Sequence, residues 1–206
     1  RKWYGNNEII VDWENNGADI KSHKGSAIRN TSFYFRSGIT YTKISSGRFS
    51  PRFKGIGFLF DDTGRSVFFS NDEDIYSVLS LLCSQVAHAY LTAMAPTLSF
   101  TSTEIGRIPY IGSVGNRVID NGRIAVAIAK NDWDSFETSW DFQSFPILAD
   151  GLRQPTVAAS YAAWEQQCRD NIQTMQSLEE ENNRLFIDAY GLQEELSPAV
   201  PEEQIT

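Results

Sequence analysis

A basic and aromatic stretch, residues 33–69, holds the side chains best suited to bind an anion. Its cations alternate with serine, threonine, glycine and aromatic residues; they are Arg36, Lys43, Arg48, Arg52, Lys54 and Arg65. Lysine and arginine neutralise phosphate, hydroxyls and backbone amides donate to phosphate oxygens, and arginine reads guanine through two parallel hydrogen bonds. The stretch therefore predicts a surface that binds a polyanion, and its residue types suit DNA.

Two adjacent carboxylates, Asp61 and Asp62, are the other residues that could do chemistry. Such a pair can hold a metal ion, as in a nuclease. Here it precedes Thr63 and Gly64, and aspartate before glycine is typical of a turn between strands. We interpret the pair as part of a turn. A metal-dependent nuclease is a third hypothesis, after DNA binding and protein interaction.

Motifs for other chemistries are missing from the sequence. It has no Gly-x-x-x-x-Gly-Lys-Ser/Thr, no Gly-x-Gly-x-x-Gly, no Gly-x-Ser-x-Gly and no paired prolines of the Asn-Pro-Pro-Tyr type that amino-methylating enzymes use. Two histidines and two cysteines, all far apart, do not provide a standard zinc site. We expect the segment itself to be non-catalytic and to hold no metal or cofactor.

The charge is distributed unevenly along the chain. The total is −8, yet residues 1–65 contain 11 Lys/Arg and 6 Asp/Glu, a net charge of +5, and the remainder contains 7 and 20, a net charge of −13. A basic part joined to an acidic part predicts one surface that faces a polyanion and another that faces solvent or a protein partner.

Length and composition predict one large domain, or a domain with an appendage. No apolar run approaches the ~20 residues that span a bilayer, and no signal peptide opens the chain. Cys83 and Cys168 fall on apolar helical faces, which suits buried thiols in a reducing compartment. We expect a cytoplasmic protein with no membrane partner, and a chain that is part of a longer protein.

Short strands and turns are predicted in the first half of the chain. Runs rich in β-branched and aromatic residues predict strands at 32–36, 38–44, 57–60 and 66–69. Turns are predicted at 15–17, where asparagine and glycine tolerate positive φ, and at 62–64. The segment 45–52 is predicted to be a loop rich in hydrogen-bond donors.

Helices are predicted in the second half. One helix begins after the capping residue Asn71 and ends before Pro96, and a short helix begins near residue 102. Asn121-Gly122 predicts a tight turn. A long helix over 156–190 has apolar residues at alternating spacings of three and four, interrupted by Asn171 and Asn182, and Gly191 is suited to end it.

These elements predict an α+β fold: a twisted, mostly antiparallel β region with packed helices, followed by a long C-terminal helix of heptad character. We predict three parts, namely a recognition domain over 1–155, a long helix or spacer over 156–191, and an acidic, mobile tail over 192–206.

Four ordered blocks resemble the PglX-like adenine-specific DNA methyltransferases of BREX phage-defence systems. They are GITYTKISSG at 38–47 followed by Phe49, Arg52 and GFLFD at 57–61; PTLSF at 96–100 with IGRIP at 105–109; IAKNDWDSFETSWDF at 128–142; and NRLFIDAYGLQEEL at 183–196. Tyr41 stands where the family pattern has tryptophan. Residues 1–30 and 112–123 match no part of that pattern.

The resemblance implies that this chain is a DNA target recognition segment of a site-specific adenine N6 methyltransferase. In that family the catalytic domain, with its S-adenosylmethionine site and its Asn-Pro-Pro-Tyr-like motif, lies upstream. The implied partners are double-stranded DNA, that upstream methyltransferase domain and other subunits of the defence system. The implied cofactor, S-adenosylmethionine, belongs to the parent enzyme and not to this segment.

The predicted DNA contacts follow from the basic stretch and from these blocks. The main set is Lys43, Ser45, Ser46, Arg48, Arg52 and Lys54, and the secondary set is Arg36, Arg65 and Arg107. Arg48 and Arg52 are the predicted base readers, whereas the hydroxyls and lysines are expected to bind phosphate. An alternative is a protein-interaction module, in which the acidic segment 132–141 and the heptad helix dock a partner subunit or the catalytic domain.

Overall fold

A three-stranded antiparallel sheet and six α-helices form the part of the chain that the computed structural model describes, residues 1–94, 99–112 and 114–205. The strands are β1 (Gly38–Thr42), β2 (Arg52–Lys54) and β3 (Gly64–Val67), in the order β2-β1-β3. Ile39 of the central strand pairs with Phe53 on one side and with Val67 on the other. The α+β class is confirmed.

The strands predicted at 32–36 and 57–60 are wrong, and strand β2 was not predicted. Residues 31–33 form a 3₁₀ turn, and Phe35 takes φ 63°, a left-handed conformation that interrupts an extended strand. Phe35 instead exchanges backbone hydrogen bonds with Phe58 and Gly57, outside the sheet. Strand β2 begins inside the predicted loop because Trp3 pairs with its free edge through a parallel bridge to Arg52. That partner is far away in sequence.

The helices are α1 (Glu14–Ser22), α2 (Asp72–Cys83), α3 (Gln85–Met94), α4 (Ser102–Ile105), α5 (Asn116–Trp133) and α6 (Val157–Tyr190). Within α1, Asn15, Asn16 and Gly17 have left-handed φ angles of 48°, 61° and 70°, which confirms the turn predicted there. Asn71 caps α2 by accepting a hydrogen bond from the Glu73 amide.

The predicted helix after Asn71 is in fact two helices. Ser84 is extended between α2 and α3, and its hydroxyl donates to the Leu81 carbonyl and accepts from the Ala87 amide. One serine therefore caps both helices across a 65° bend. The second helix ends at Met94, and Pro96 and most of the block at 96–100 lie outside the described residues.

The turn predicted at Asn121-Gly122 is wrong, because both residues lie inside α5. A Cβ atom on Gly122 would lie 2.6 Å from the Ser80 Oγ and 3.0 Å from the Tyr76 carbonyl oxygen, both on α2. Glycine is thus required for the close approach of two helices and not for a turn. The Ser80 hydroxyl donates to the Val118 carbonyl across the same contact.

The long helix α6 is confirmed. Thr156 accepts from the Ala159 amide at its start, and Gly191 ends it with φ 68°. Its second half is buried against the domain, with Asn182 accepting from Asn121 of α5. Its first half projects and is mostly exposed.

The segment after α6, predicted as a mobile tail, returns along that helix up to residue 205. The Val200 carbonyl accepts from Gln176, the Val200 amide donates to Glu180, and the Pro198 carbonyl accepts from Asn183. These three hydrogen bonds hold the segment against α6. The division of the chain into three parts stays a prediction.

Within the described ranges, no single helix has both the length and the apolar character needed to cross a membrane. The bent pair of α2 and α3 meets those two criteria only when both helices are taken together.

Candidate nucleic-acid interface

Lys43, Asp62 and Arg65 form a charged cluster at one end of the sheet. Lys43 follows β1, Arg65 lies in β3 opposite Tyr41, and the strand pairing brings them to the same carboxylate. Asp62 accepts hydrogen bonds from both cations, and these two bonds are the main reason that its pKa is lowered. Two cations share this one anion, which orders two long side chains that could bind phosphate.

The neighbouring carboxylate, Asp61, closes the turn that the sequence predicted. One of its oxygens accepts from the backbone amides of Thr63 and Gly64, and the Thr63 hydroxyl donates to it as well. These hydrogen bonds lower the pKa of Asp61 against the opposing effect of burial. Of the two carboxylates hypothesised to form a nuclease site, Asp61 therefore accepts hydrogen bonds within the turn and Asp62 pairs with two cations. Across the described residues, no group of three or more potential metal ligands converges.

Arg48 is exposed and lines a cavity of about 250 Å³. Its guanidinium donates to Gln85 at the start of α3 and to Gln204 near the C-terminal end of the described chain. Burial lowers the pKa of Arg48, and burial together with Arg48 lowers the pKa of the adjacent His88. An arginine stays protonated under all ordinary conditions, so Arg48 keeps its charge and is ordered by two amides.

Arg52 and Lys54 are buried, with exposed fractions of 8% and 4%. Arg52 donates to the Ser50 carbonyl at 3.1 Å and to the Thr42 hydroxyl at 3.3 Å. The Lys54 ammonium lies 4.4 Å from the Phe68 ring centre and 5.2 Å from that of Phe60. Both residues lie inside the fold and are not part of the interface that we propose.

The two serines of the main predicted set lie in the loop after β1. Ser45 accepts a hydrogen bond from the Gly47 amide, which shapes the loop, and Ser46 is exposed. Both follow Lys43 by two and three residues in the chain.

The secondary set, by contrast, is gathered around one feature, a cleft of about 570 Å³ between the sheet, α2 and α4. Arg36 lies 5.2 Å from the centre of the Phe33 ring, which lines the cleft. Arg65 reaches Ser102 of the lining at 3.4 Å. Arg107 is exposed and lies between two lining residues, Gly106 and Ile108.

Sequence reasoning missed this cleft because its walls come from distant segments. Aromatic walls are supplied by Phe33, Tyr41, Phe68 and Tyr110, and aliphatic ones by α2 and by the residues around α4. Burial raises the pKa of the Tyr41 hydroxyl, which Arg65 contacts. Only the alternation of aromatic and basic residues in 33–69 signalled that such a site existed, and it did not show which residues meet.

The chain is similar in sequence to known proteins. No protein-family model matches it. The adenine-specific methyltransferase PglX of Lacticaseibacillus casei (strain Zhang) is 35% identical over 216 aligned residues, which cover 100% of this chain and 18% of that protein. The adenine-specific methyltransferase BrxX of Escherichia coli O9:H4 (strain HS) is 36% identical over 166 residues, 80% of this chain and 13% of that protein.

The chain thus spans less than a fifth of the length of these relatives, and the first of them matches it from end to end. The resemblance expected from four sequence blocks is confirmed. This chain is a homologue of a segment of the PglX-like adenine-specific methyltransferases.

Proposed function

We propose that this chain is the DNA target recognition segment of a site-specific adenine N6 DNA methyltransferase of a BREX phage-defence system. The observation that supports the proposal is that all of this chain matches part of a protein described as an adenine-specific methyltransferase. The methyl donor of the parent enzyme would be S-adenosylmethionine, held by a domain outside this chain. The role of this segment is then to position double-stranded DNA for that domain.

The proposed contact surface combines the charged cluster with the arginines around the cleft. It comprises Arg36, Lys43, Ser45, Ser46, Arg65 and Arg107, with Arg48 at its periphery. Arg65 belongs to both the cluster and the cleft, since it contacts Asp62 and Ser102. Ordered arginines suit DNA because less side-chain freedom is lost when they bind phosphate or a base edge.

Replacing Arg107 with glutamine tests this surface with little risk to the fold, because Arg107 is exposed. We expect the variant to bind all duplex sequences more weakly by a similar factor. The slope of log affinity against log salt should fall in magnitude by about one, as expected for one lost phosphate contact. Fluorescence anisotropy with a labelled duplex over a salt series would measure both.

The matched control is Arg169→Gln on the projecting half of α6, where Arg169 pairs with Glu165. This variant should bind DNA like the unmodified chain. Equal binding and equal salt slopes for Arg107→Gln and the unmodified chain would contradict the proposed surface.

A second candidate function, docking of the catalytic domain of the parent, is favoured by exposed aromatic residues away from the cleft. Trp140 is 64% exposed and Tyr161, at the start of the heptad stripe, is 53% exposed. Asp132 and Asp134 are occupied by Arg1 and Lys130, so the acidic segment is partly neutralised within the domain. The relatives are more than five times longer than this chain, so a parent protein of that length has room for the catalytic domain that we propose as the partner.

Docking would be disrupted by the double change Trp140→Ser and Tyr161→Ser. We expect this variant to lose co-purification with the separately expressed remainder of the parent protein while its affinity for DNA is unchanged. Arg169→Gln again serves as the control on the same helix. Unchanged co-purification would exclude docking through these two aromatic residues.

A further inference from the structure

The aromatic cleft has the form of a small-molecule site more than that of a flat backbone-binding surface. Its volume of about 570 Å³ falls in the range typical of ligand pockets, and its walls are mostly apolar. The Phe33 and Phe68 rings lie 5.0 Å apart between their centres, inclined by 37°. Phe33 and Tyr110 are also partly exposed, so the aromatic walls are accessible from solvent.

Polar groups lie at the wall and at the mouth of the cleft. Ser102 is an exposed lining residue, and its hydroxyl accepts a hydrogen bond from Arg65 at 3.4 Å. That hydroxyl keeps its own hydrogen available to donate to a ligand. At the mouth, Tyr110 shares a hydrogen bond of 3.2 Å with Ser77.

Positive charge flanks the same opening. Arg36 is held over Phe33 while donating to the Phe69 carbonyl at 3.0 Å, and Arg65 is held by Asp62 and Ser102. Arg107 is exposed and lies in the chain between the lining residues Gly106 and Ile108. An apolar, aromatic interior with a cationic rim complements a ligand that has a flat ring and a neighbouring phosphate.

We propose that this cleft binds one unstacked nucleobase of DNA, with the adjoining phosphates held by Arg65 and Arg107. The inference rests on the proposed function and adds a defined base-binding site to it. Aromatic side chains stack on any base, since every base has a π-face, and the exposed Ser102 hydroxyl supplies a hydrogen bond to the base edge. Arg36, held over the Phe33 ring, contributes further positive charge.

The test compares two duplexes that differ in one base. Both contain a single unpaired nucleotide in one strand; in the first it carries adenine and in the second it is abasic. We expect the chain to bind the adenine-bulge duplex about tenfold more tightly, because stacking of one base on aromatic residues contributes a factor of that order or more. Fluorescence anisotropy at a fixed salt concentration gives both affinities.

Filling the cleft provides the matched variant. Ile105→Trp replaces a half-buried lining residue with a larger ring, and it leaves every arginine in place. We expect this variant to bind both duplexes with the affinity that the unmodified chain has for the abasic one. Ser102→Ala should keep part of the preference for adenine, because stacking remains while the hydroxyl is lost. A thermal melt of each variant verifies that the fold is retained.

The outcomes separate this inference from the proposed function. Tight binding of both duplexes with equal affinity by the unmodified chain would overturn the nucleobase site and leave DNA recognition intact. A preference for adenine that persists in a folded Ile105→Trp variant would place the base elsewhere and would also overturn it. Binding of neither duplex would overturn the proposed function together with this inference.

Discussion

Glu179→Ala is expected to lower the free energy of unfolding by about 3–5 kcal/mol, the range measured when one partner of a buried ion pair is removed. Glu179 of α6 is 4% exposed; one of its oxygens accepts from Lys2 and the other accepts from the Trp3 indole at 2.7 Å. Trp3 in turn exchanges backbone hydrogen bonds with residues flanking Arg52 of β2. One carboxylate therefore joins the C-terminal helix to the sheet edge.

Urea denaturation followed by tryptophan fluorescence would measure this loss. Glu179→Gln should lose less than the alanine variant, because an amide oxygen can still accept from the Trp3 indole. Glu165→Ala is the control on the exposed half of α6; its pair with Arg169 should contribute only about 0.3–0.5 kcal/mol. A loss below about 1 kcal/mol for Glu179→Ala would show that this carboxylate does not join the two elements.

Lys54→Met is expected to raise the free energy of unfolding at neutral pH by up to about 3 kcal/mol. Burial lowers the pKa of Lys54 from 10.5 to about 8, and its ammonium has no hydrogen-bond partner among the described residues. A pKa difference of this size between the folded and unfolded states corresponds to about 3 kcal/mol of free energy of unfolding. The two aromatic rings beside the ammonium offset only part of its desolvation.

The sign of the pH dependence follows from the lowered pKa. Between pH 8 and pH 10.5 the unfolded chain holds the Lys54 proton more tightly than the folded chain does, so this residue makes stability rise with pH across that window. Below pH 8 the residue is charged in both states, and the full cost of burying it is present. The difference between the unmodified chain and Lys54→Met should therefore shrink as pH rises from 8 to 10.5.

Denaturation curves of the unmodified chain and of Lys54→Met over this pH range would measure the difference in free energy of unfolding. The other titrating groups are the same in both proteins, so their contributions cancel. Lys24→Met, on an exposed loop, is the matched control and should leave the curve of stability against pH unchanged. A constant difference between Lys54→Met and the unmodified chain at pH 7 and pH 10 would contradict the lowered pKa.

The parts of this protein that the sequence predicted correctly are stabilised by contacts between near neighbours in the chain. The helix α6 begins at Thr156 and ends at Gly191, and each acts on residues within a few positions. The turn at Asp61 is closed by the amides two and three residues later. Because these contacts depend on local residue types, the sequence alone determines them. The family was likewise readable from short blocks of residues.

Contacts between distant segments decided the rest. Asn121-Gly122 predicts a turn from sequence, but Gly122 lies inside α5 because Ser80 and Tyr76 of α2 approach it closely. Residues 52–54 form strand β2 because Trp3 pairs with its edge. The sequence identified a stretch rich in cations, but folding buried Arg52 and Lys54 and placed Arg36 and Arg65 against lining residues of one aromatic cleft. Burial and convergence depend on which surfaces pack together, and residue spacing along one chain does not contain that information.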